Sequence, residues 1–333
     1  MGNVHTVGDL RQMQSLPLKA KIRMTQARLR EWHDYWDGYI YISFSGGKDS
    51  TVLLDIARKL YPDIKAVYVD TGLEYPEVRN FVKTIDNVEW LYPIRWDKSK
   101  RQYVRTSFRE VILEQGYPLV SKEIAECVQD ARKSIAKNDG TYTYRLKRLN
   151  GELLDKNGNK SKYNCPKWRF LLDAPFKVSN LCCDIMKKNP AKHFEKITGL
   201  HPVIGTLADE SALRLQKWLN SGCNAFSNTI PVSQPLSFWR EQDILAYLKY
   251  FNVPYASVYG EIVPNDSGDL ELTGVSRTGC MFCGFGCHLE KSPNRFQRMK
   301  DTHPKQYEYC MKPVEQGGLG MAEVLDYIGV DYK

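Results

Sequence analysis

The apolar positions of this chain follow a helical spacing first and then form short continuous runs. A helix is predicted over residues 18–37 by the apolar positions Leu18, Ile22, Leu29, Trp32 and Trp36. Apolar runs follow at residues 39–45, 64–72 and 88–94, and amphipathic stretches at residues 51–60 and 75–85 separate them. Strands that alternate with such helices indicate βαβ units. We therefore expect an α/β fold, with an open, mainly parallel twisted sheet and helices on both faces.

The segment at residues 133–170 interrupts this alternation. It is basic, rich in Asn, Gly and Tyr, and lacks helical periodicity, so we expect an insertion with a small hairpin near residues 151–160. Helical patterns return at residues 180–197 and near Ser237, where an amphipathic helix begins. The predicted organisation is a helical segment (1–37), an α/β domain that carries the insertion (38–236), and a helical and loop-rich C-terminal region (237–333).

The composition indicates the cellular compartment of the protein and the chemical class of its partners. Lys and Arg exceed Asp and Glu by 47 to 39, a formal net charge of +8, which favours anionic partners such as nucleotides or nucleic acid. No apolar run reaches about 18 residues, and the first residues lack the apolar core of a signal peptide. We therefore expect a cytoplasmic protein with no membrane partner. Nine cysteines in that compartment favour metal ligands or catalytic thiols over a disulfide framework.

The turn between the first strand and the next helix carries a glycine-rich sequence, Ser45, Gly46, Gly47, Lys48, Asp49 and Ser50, which we call the glycine loop. Backbone amides and the positive end of a helix dipole converge at such a turn, so it can bind an anion. It is not a Walker A loop, because Ile42 stands where the first glycine is required and Asp49 replaces the hydroxyl. The dinucleotide fingerprint G-x-G-x-x-G is absent as well.

The S-G-G-K-D-S sequence of the glycine loop resembles the pyrophosphate loop (PP-loop) of the ATP pyrophosphatase superfamily, whose fold is adenine nucleotide alpha hydrolase-like. The resemblance implies that the loop binds ATP, that ATP is split between its α and β phosphates, and that the substrate is left adenylated. The residue types suit this chemistry, since glycines permit close backbone approach and Lys48 supplies a positive charge. Asp49 would orient the loop or bind Mg²⁺.

Two further stretches resemble the phosphoadenosine phosphosulfate (PAPS) reductase branch of that superfamily. "YVDTGLEYP" is similar to its D-T-G…P strand end, which implies nucleotide binding by Asp70, Thr71 and Gly72 at the carboxyl edge of the sheet. "GTLADESALR" is similar to its G-x-R-x-x-E-S-x-x-R stretch, except that Leu207 replaces an arginine. Arg214 is retained and is expected to contact phosphate, so the catalytic candidates are Lys48, Asp49 and Arg214.

Four cysteines form a CC…CxxC pattern, made of Cys182, Cys183, Cys280 and Cys283. The pattern resembles the signature of adenylyl sulfate (APS) reductases and implies a [4Fe-4S] cluster on these thiolates. Zinc and merely buried or redox thiols are the alternatives. Cys287 is a rival fourth ligand. Buried structural thiols are expected at the remaining cysteines, Cys127, Cys165, Cys223 and Cys310.

Three functions remain open on these resemblances. The first is an ATP-using PP-loop enzyme with an Fe-S cluster that adenylates a substrate for sulfur transfer, as in thio-modification of nucleic acid, with a sulfur or electron donor protein as partner. The second is a sulfonucleotide (APS or PAPS) reductase that produces sulfite. The third is a non-catalytic regulatory protein that senses a nucleotide.

The intact glycine loop favours the first function, because sulfonucleotide reductases generally carry a degraded loop. Those reductases also end in an E-C-G-[LI]-H motif, whereas no cysteine follows Cys310 here. The basic segment 133–170 offers Tyr142, Tyr144 and Trp168 for base stacking along a phosphate backbone, although a solvated hairpin explains the same composition.

Overall fold

The computed structural model describes residues 4–138, 140–141, 143–227 and 229–333, and the chain divides into two compact units. The first unit comprises Met1–Asp70, Glu74–Tyr92 and Pro190–Thr278. The second comprises Thr71–Leu73, Pro93–Asn189 and Gly279–Lys333. The units are thus assembled from alternating stretches of chain, whereas the sequence predicted three consecutive parts with boundaries at residues 37/38 and 236/237. Both of those boundaries fall inside the first unit.

Short strands and helices of moderate length follow one another along the chain. The strands are β1 (Ile40–Ser43), β2 (Ala66–Val69), β3 (Val88–Leu91), β4 (Ile94–Asp97), β5 (Gln102–Arg105), β6 (Leu119–Val120), β7 (His201–Ile204), β8 (Asn224–Ala225), β9 (Val232–Ser233), β10 (Ile262–Pro264), β11 (Leu270–Leu272) and β12 (Gly284–Phe285). The α-helices are α1 (Val7–Gln14), α2 (Leu18–Tyr35), α3 (Lys48–Leu60), α4 (Pro76–Lys83), α5 (Phe108–Gln115), α6 (Lys122–Lys137), α7 (Thr143–Asn150), α8 (Asn189–Thr198), α9 (Ala212–Ser221), α10 (Glu241–Tyr250), α11 (Arg295–Thr302), α12 (Pro304–Met311) and α13 (Met321–Tyr327). Short 3₁₀ turns lie at Pro166–Asp173, Ala208–Glu210, Ser257–Tyr259, Cys287–Leu289 and Val314–Gln316, and a π turn at Asp184–Lys188.

The first unit is built on a six-stranded sheet in the order β3-β2-β1-β7-β9-β8. Every neighbouring pair is parallel except β8 and β9, which are antiparallel. The first three residues of β1 are all buried, which means that both faces of the sheet are covered. Ile42 packs in the core with residues of α2 and α3, and Tyr41 packs with Phe194 of α8 on the opposite face. The predicted mainly parallel α/β fold is confirmed.

The second unit contains helices and two short two-stranded sheets. β4 pairs with β5 in antiparallel fashion, and β6 pairs with β12 in parallel. A further two-stranded sheet, β10 with β11, belongs to the first unit. None of the helices in the described ranges is long and apolar enough to cross a membrane.

The segment 133–170 contains helix that its sequence did not predict. Helix α6 continues to Lys137, α7 spans Thr143–Asn150, and a 3₁₀ turn begins at Pro166. The expected hairpin is reduced to a single antiparallel bridge between Leu154 and Lys160. Helix α7 escaped prediction because it is a short helix that buries little more than Arg148 and Leu149 and therefore shows little apolar periodicity.

Two other helix boundaries differ from expectation, and capping explains both. Helix α1 was missed; it is closed by a capping box in which Thr6 accepts from the Asp9 N–H and Asp9 accepts from the Thr6 N–H. Helix α10 begins at Glu241 rather than near Ser237, because the Arg240 N–H donates to the Asp243 carboxylate at 2.7 Å and fixes the first turn there.

Candidate functional sites

The glycine loop is held in shape by hydrogen bonds among its own residues. The Gly47 N–H donates to Ser45 Oγ at 3.4 Å, Ser45 Oγ lies 3.1 Å from Ser50 Oγ, and Ser50 Oγ donates to the Gly47 carbonyl at 2.9 Å. The Ser45 N–H also donates to Ser50 Oγ at 3.2 Å. The serines that the sequence offered as nucleotide ligands therefore also fix the shape of the loop.

Two glycines allow the chain to pack tightly around the loop. Gly46 has a φ of +70°, and a Cβ at this position would lie 2.6 Å from Val82 Cγ2 and 2.7 Å from Val78 Cγ1. Gly205, which follows β7, would place a Cβ 3.0 Å from the Asp49 carbonyl oxygen. Any larger side chain at either position would push α4 or the 205 stretch away from the loop.

Helix α3 begins at the loop, with Gly47 as its N-cap, a residue that has no side chain to cap the helix. The Lys48 N–H donates instead to the Tyr259 hydroxyl at 3.1 Å, and that hydroxyl lies 2.7 Å from Thr278 Oγ1. The positive end of the α3 dipole makes this helix start suitable for an anion. Tyr259 and Thr278 were missed by the sequence analysis, because no local motif links them to residues more than 200 positions earlier.

Of the two charged side chains of the loop, Lys48 is buried and Asp49 is partly exposed. Lys48 is 5% exposed, and its Nζ lies 3.2 Å from Glu241 Oε1 and 3.6 Å from Asp49 Oδ2. Burial raises the pKa of Asp49, an effect that Lys48 opposes and Glu241 reinforces. The Asp49 Oδ1 atom is buried without a hydrogen-bond partner among the described residues. A buried carboxylate oxygen without a partner suits a cation or a bound ligand.

Asp70 follows β2 at the same edge of the sheet at which the glycine loop follows β1, since these strands are parallel neighbours. Its Oδ2 accepts from Arg79 Nε at 3.0 Å, whereas its Oδ1 is buried without a hydrogen-bond partner in the part of the chain described. Thr71 and Gly72 are grouped with the second unit, where Thr71 Oγ1 accepts from the Leu73 N–H at 3.1 Å. Of these three residues, Asp70 belongs to the first unit and the other two belong to the second.

Arg214 lies on the first turn of α9 and forms an ion pair with Glu210. Burial lowers its pKa, the neighbouring Arg277 lowers it further, and Asp49 acts in the opposite direction. The contact of Arg214 with phosphate, which the resemblance implied, stays a prediction. Arg277 is a second cation that no motif identified.

Leu207 stands where the family stretch usually has an arginine, and its side chain belongs to the apolar core. Its N–H donates to Glu210 Oε2 at 3.1 Å, so the same glutamate binds both this backbone and Arg214. The substitution therefore removes one cation from the site and replaces it with core packing.

The four cysteines of the CC…CxxC pattern line one pocket of the second unit, which we call the cysteine pocket. Its wall consists of Leu73, Phe108, Pro118, Cys182, Cys183, Met186, Lys187, Cys280 and Cys283. The Cys283 N–H donates to the Cys280 carbonyl at 3.2 Å, and the Met281 N–H donates to the Leu73 carbonyl at 2.8 Å. The fold therefore brings the two distant cysteine pairs together, as the resemblance implied.

The thiols of the cysteine pocket differ in their electrostatics. A hydrogen bond from Cys182, together with nearby lysines, lowers the pKa of Cys183 to about 6, while the same bond and burial raise the pKa of Cys182. Burial raises the pKa of Cys283 to about 12. No three His, Cys, Asp or Glu side chains within the described ranges stand in a metal-binding arrangement. The donors are gathered in one pocket without a preformed coordination geometry.

Cys287, the rival ligand, is not among the residues that line the cysteine pocket. It is 1% exposed, and its Sγ donates to the Gly284 carbonyl at 3.1 Å. Burial raises the pKa of its thiol to about 11.

Buried structural thiols were expected at four further cysteines, and three of them, Cys127, Cys223 and Cys310, are buried. Cys165 is only partly buried, and the thiols of Cys127 and Cys165 shift each other's pKa in opposite directions. No short sequence spacing signals this pair, since α7 and a turn lie between them.

Comparison with known proteins identifies the family of this chain. The family model described as the phosphoadenosine phosphosulfate reductase domain matches residues 39–127 and 141–285, which is more than half of the chain. The chain therefore belongs to this family. The match leaves out residues 128–140 and resumes at residue 141, inside the segment 133–170.

Individual relatives are distant. An uncharacterised protein of Methanocaldococcus jannaschii is 22% identical over 287 residues, which cover 86% of this chain and 50% of that protein. A second uncharacterised protein of the same organism is 38% identical over 80 residues, or 24% of this chain and 15% of its own. The chain thus spans about half or less of the curated relatives that it matches. A crystal structure of PAPS reductase from Candida auris in a phosphate complex aligns with a TM-score of 0.39 and 16% identity, covering 70% of this chain and 82% of that one.

Proposed function

We propose that this protein is an ATP-using enzyme of the PP-loop type, which adenylates a substrate so that sulfur can be transferred to it. The observation that carries the proposal is the complete glycine loop, in which the hydroxyls of Ser45 and Ser50 hold the backbone and a buried Lys48 supplies the charge. A loop that only made a turn would not need a lysine that is 5% exposed beside two carboxylates.

The reaction needs a pocket for pyrophosphate. An oxygen of the acceptor attacks the α-phosphorus of ATP, the bond from that phosphorus to the β-bridging oxygen breaks, and pyrophosphate leaves. In this proposal the Lys48 ammonium and the positive end of the α3 dipole stabilise the leaving pyrophosphate. A sulfur nucleophile then attacks the activated carbon or phosphorus of the acceptor, and AMP leaves with the former acceptor oxygen.

Asp49 and Arg214 have complementary roles in this proposal. The unpartnered Oδ1 of Asp49 is available to a Mg²⁺ ion that accompanies ATP. Arg214 is the phosphate contact, and its ion pair with Glu210 holds the guanidinium in place. Asp70, Thr71 and Gly72 are assigned to the nucleoside end of the nucleotide.

The cysteine pocket is assigned to a [4Fe-4S] cluster on Cys182, Cys183, Cys280 and Cys283. Its donor set, thiols alone in a mainly apolar wall, suits thiolate-bound iron better than a hard cation, and zinc is the less favoured occupant. When bound, the cluster would supply an iron site for sulfur or electron transfer, or would stabilise this unit. A sulfur or electron donor protein is the expected partner.

The second candidate function is a sulfonucleotide reductase, which the family match itself favours. That reaction needs a cysteine thiolate that reaches the sulfate sulfur. Cys310 is 0% exposed and burial raises its pKa, so it is a poor nucleophile. We therefore rank the reductase below the adenylating enzyme.

Nucleic acid is the acceptor that the surface of segment 133–170 favours. Its exposed side chains include Tyr144, Lys147, Lys156, Lys160, Lys162, Tyr163 and Lys167. Arg145 and Arg148 are instead held by ion pairs with Glu126 and Glu123. Tyr142 lies outside the described residues, and Trp168 is half-buried beside Lys167. Exposed lysines interleaved with aromatic rings suit a phosphate backbone with unstacked bases.

The test is a product analysis with Mg·ATP and pools of tRNA or DNA as acceptors. The proposal predicts AMP and pyrophosphate in amounts that depend on the acceptor. Release of ADP and phosphate, or of sulfite from APS or PAPS, would contradict it. Turnover with none of these acceptors would favour the non-catalytic sensor.

The acceptor class is tested separately with a variant in which Lys147, Lys162 and Lys167 are all changed to alanine. The proposal predicts weaker nucleic-acid binding with a shallower salt dependence, by about one unit of slope for each phosphate that no longer has a lysine partner. ATP binding should not change. Unchanged nucleic-acid binding would remove this surface from the proposal.

A further inference from the structure

A second group of cysteines lies outside the cysteine pocket. Cys127 is on α6, and Cys165 stands immediately before the 3₁₀ turn Pro166–Asp173. Their thiols are close enough that each shifts the pKa of the other. The carbonyls of α7 bind both residues, since Cys127 Sγ donates to the Arg145 carbonyl at 3.4 Å and the Cys165 N–H donates to the Arg148 carbonyl at 2.9 Å. One turn of one helix thus holds both cysteines.

The elements that carry the pair are also fixed to each other. Arg132 of α6 donates hydrogen bonds to the carbonyls of Leu171, Leu172, Ala174 and Phe176, at 2.7 to 3.0 Å. These carbonyls belong to the 3₁₀ turn that follows Cys165 and to the residues just after it. The elements that carry the two thiols are therefore held to each other by four hydrogen bonds.

The two thiols have different surroundings. Cys127 is 0% exposed, whereas Cys165 is partly exposed. The neighbouring Cys127 thiol, and next the guanidinium of Arg148, lower the pKa of Cys165 to about 7. The Cys165 thiol and burial raise the pKa of Cys127. A partly exposed thiolate beside a buried thiol is the arrangement of an attacking and a resolving cysteine.

We propose that Cys127 and Cys165 form a redox-active dithiol, which a low-molecular-weight disulfide oxidises reversibly to a disulfide. The Cys165 thiolate attacks one sulfur of the small disulfide, forms a mixed disulfide and releases one small thiolate. The Cys127 sulfur then attacks the Cys165 sulfur, its proton passes to the second departing thiolate, and the protein disulfide is complete. The two cysteines lose two electrons, and the small disulfide gains them as two thiols.

This site is independent of the proposed function and of the cysteine pocket. The disulfide would join α6 to the start of the 3₁₀ turn and enclose α7 with the lysine-bearing stretch after it. Oxidation would thereby reduce the conformational freedom of the chain between Cys127 and Cys165, which carries most of the exposed lysines. Cys223 and Cys310 provide the contrast, because burial raises the pKa of both thiols and neither has a cysteine partner in the contacts described.

The experiment exposes the full-length reduced protein to oxidised glutathione, blocks the remaining thiols by alkylation and maps the peptides. Trypsin releases the two cysteines in peptides 123–132 and 163–167, which contain no other cysteine. The expected result is a linked pair of these peptides in wild-type protein, lighter by two hydrogen atoms, that dithiothreitol separates. Finding both cysteines alkylated, or a stable glutathione adduct on Cys165 in wild-type protein, would overturn the proposal.

Three variants test which cysteine attacks first and whether the link is specific to this pair. Cys127→Ser should trap the glutathione adduct on Cys165, and Cys165→Ser should leave Cys127 unmodified because it is fully buried. Cys223→Ser is the matched control, and it should still form the 127–165 link. An adduct on Cys127 in the Cys165→Ser variant would contradict the assigned order of attack. The mapping of wild-type protein stands even if a variant fails to fold.

Discussion

The glycine loop and the cysteine pocket differ in how much of their geometry the chain provides. In the glycine loop, hydrogen bonds between Ser45, Gly47 and Ser50 close within six consecutive residues. The cysteine pocket takes its thiols from residues 182–183 and 280–283, and the described side chains do not stand in a metal-binding arrangement. Under the proposed function, the loop would be organised before its ligand binds, whereas the pocket would take its final geometry from its ligand.

The largest effect is expected from Lys48→Ala, which removes the buried charge of the glycine loop. Turnover and nucleotide affinity should fall by about 100-fold or more, because the buried ammonium is lost and the carboxylates of Asp49 and Glu241 are left without it beside the phosphates. Isothermal titration and product analysis measure the loss. Lys59→Ala, in the last turn of the same helix, is the control and should bind nucleotide normally. If the Lys48 variant also lost iron, the glycine loop and the cysteine pocket would not be independent sites.

The converse variant is Cys280→Ser in the cysteine pocket. Iron and sulfide content should fall to a small fraction of that of wild-type protein purified without oxygen, since one of the four thiolates is gone. Nucleotide affinity should remain. Cys223→Ser, a buried cysteine outside the pocket, should keep its iron. If Cys280→Ser lost nucleotide binding as well, the two sites would not be independent.

Gly46→Ala tests whether the glycine loop is organised in advance. A Cβ at a φ of +70° and 2.6 Å from Val82 should lower the free energy of unfolding, by about 3 kcal/mol. Gly268→Ala is the matched control, since Gly268 has a φ of +84° and a Cβ added there would have nothing within 4 Å. That control should lose only about 1 kcal/mol. Equal losses in chemical denaturation would show that the contact with α4 is not tight.

The smallest effect is the pH dependence that Asp49 confers on binding of Mg·ATP. Burial raises the pKa of Asp49, so the carboxylate forms at a higher pH than in an ordinary aspartic acid. Affinity should therefore rise as pH increases through that raised pKa and fall below it, by at most about tenfold per pH unit for one proton. Lys48, Glu241 and Arg214 face this carboxyl, and Asp49→Asn should flatten the profile.

The raised pKa of Asp49 makes the free energy of unfolding change with pH in the direction opposite to the affinity for Mg·ATP. A protonated Asp49 is favoured in the folded state, so its contribution to the free energy of unfolding is present at low pH and is lost as pH rises through the folded pKa. An affinity that fell with rising pH would contradict the assignment of Mg²⁺ to Asp49.

The sequence predicted features that are local and missed those that are distant. The strand β1, the glycine loop and α3 could be predicted because their apolar run, glycines and helix signals are consecutive. The contacts of Lys48 with Tyr259 and Glu241 could not, because they depend on the position of the chain about 200 residues later. The same reason explains the Cys127–Cys165 pair, whose partners meet only through the packing of α6 against α7.

The cysteine pocket was predicted only in part from the sequence. The resemblance of the CC…CxxC pattern to a known signature predicted which four cysteines meet, although spacing alone gave no reason for the first pair to reach the second. Cys287, which spacing also allowed, is buried and hydrogen-bonded to the Gly284 carbonyl instead. This hydrogen bond, which sequence spacing does not show, distinguishes Cys287 from the four cysteines that line the pocket.

The proposed function depends above all on whether the glycine loop serves ATP. The most direct measurement is equilibrium binding of ATP, APS and PAPS, each with Mg²⁺, to protein purified without oxygen and assayed for iron and sulfide. ATP should bind most tightly, and Lys48→Ala should remove this preference. Tighter binding of APS or PAPS, unaffected by Lys48→Ala, would contradict the proposed function and would make the protein a sulfonucleotide reductase that depends on another thiol.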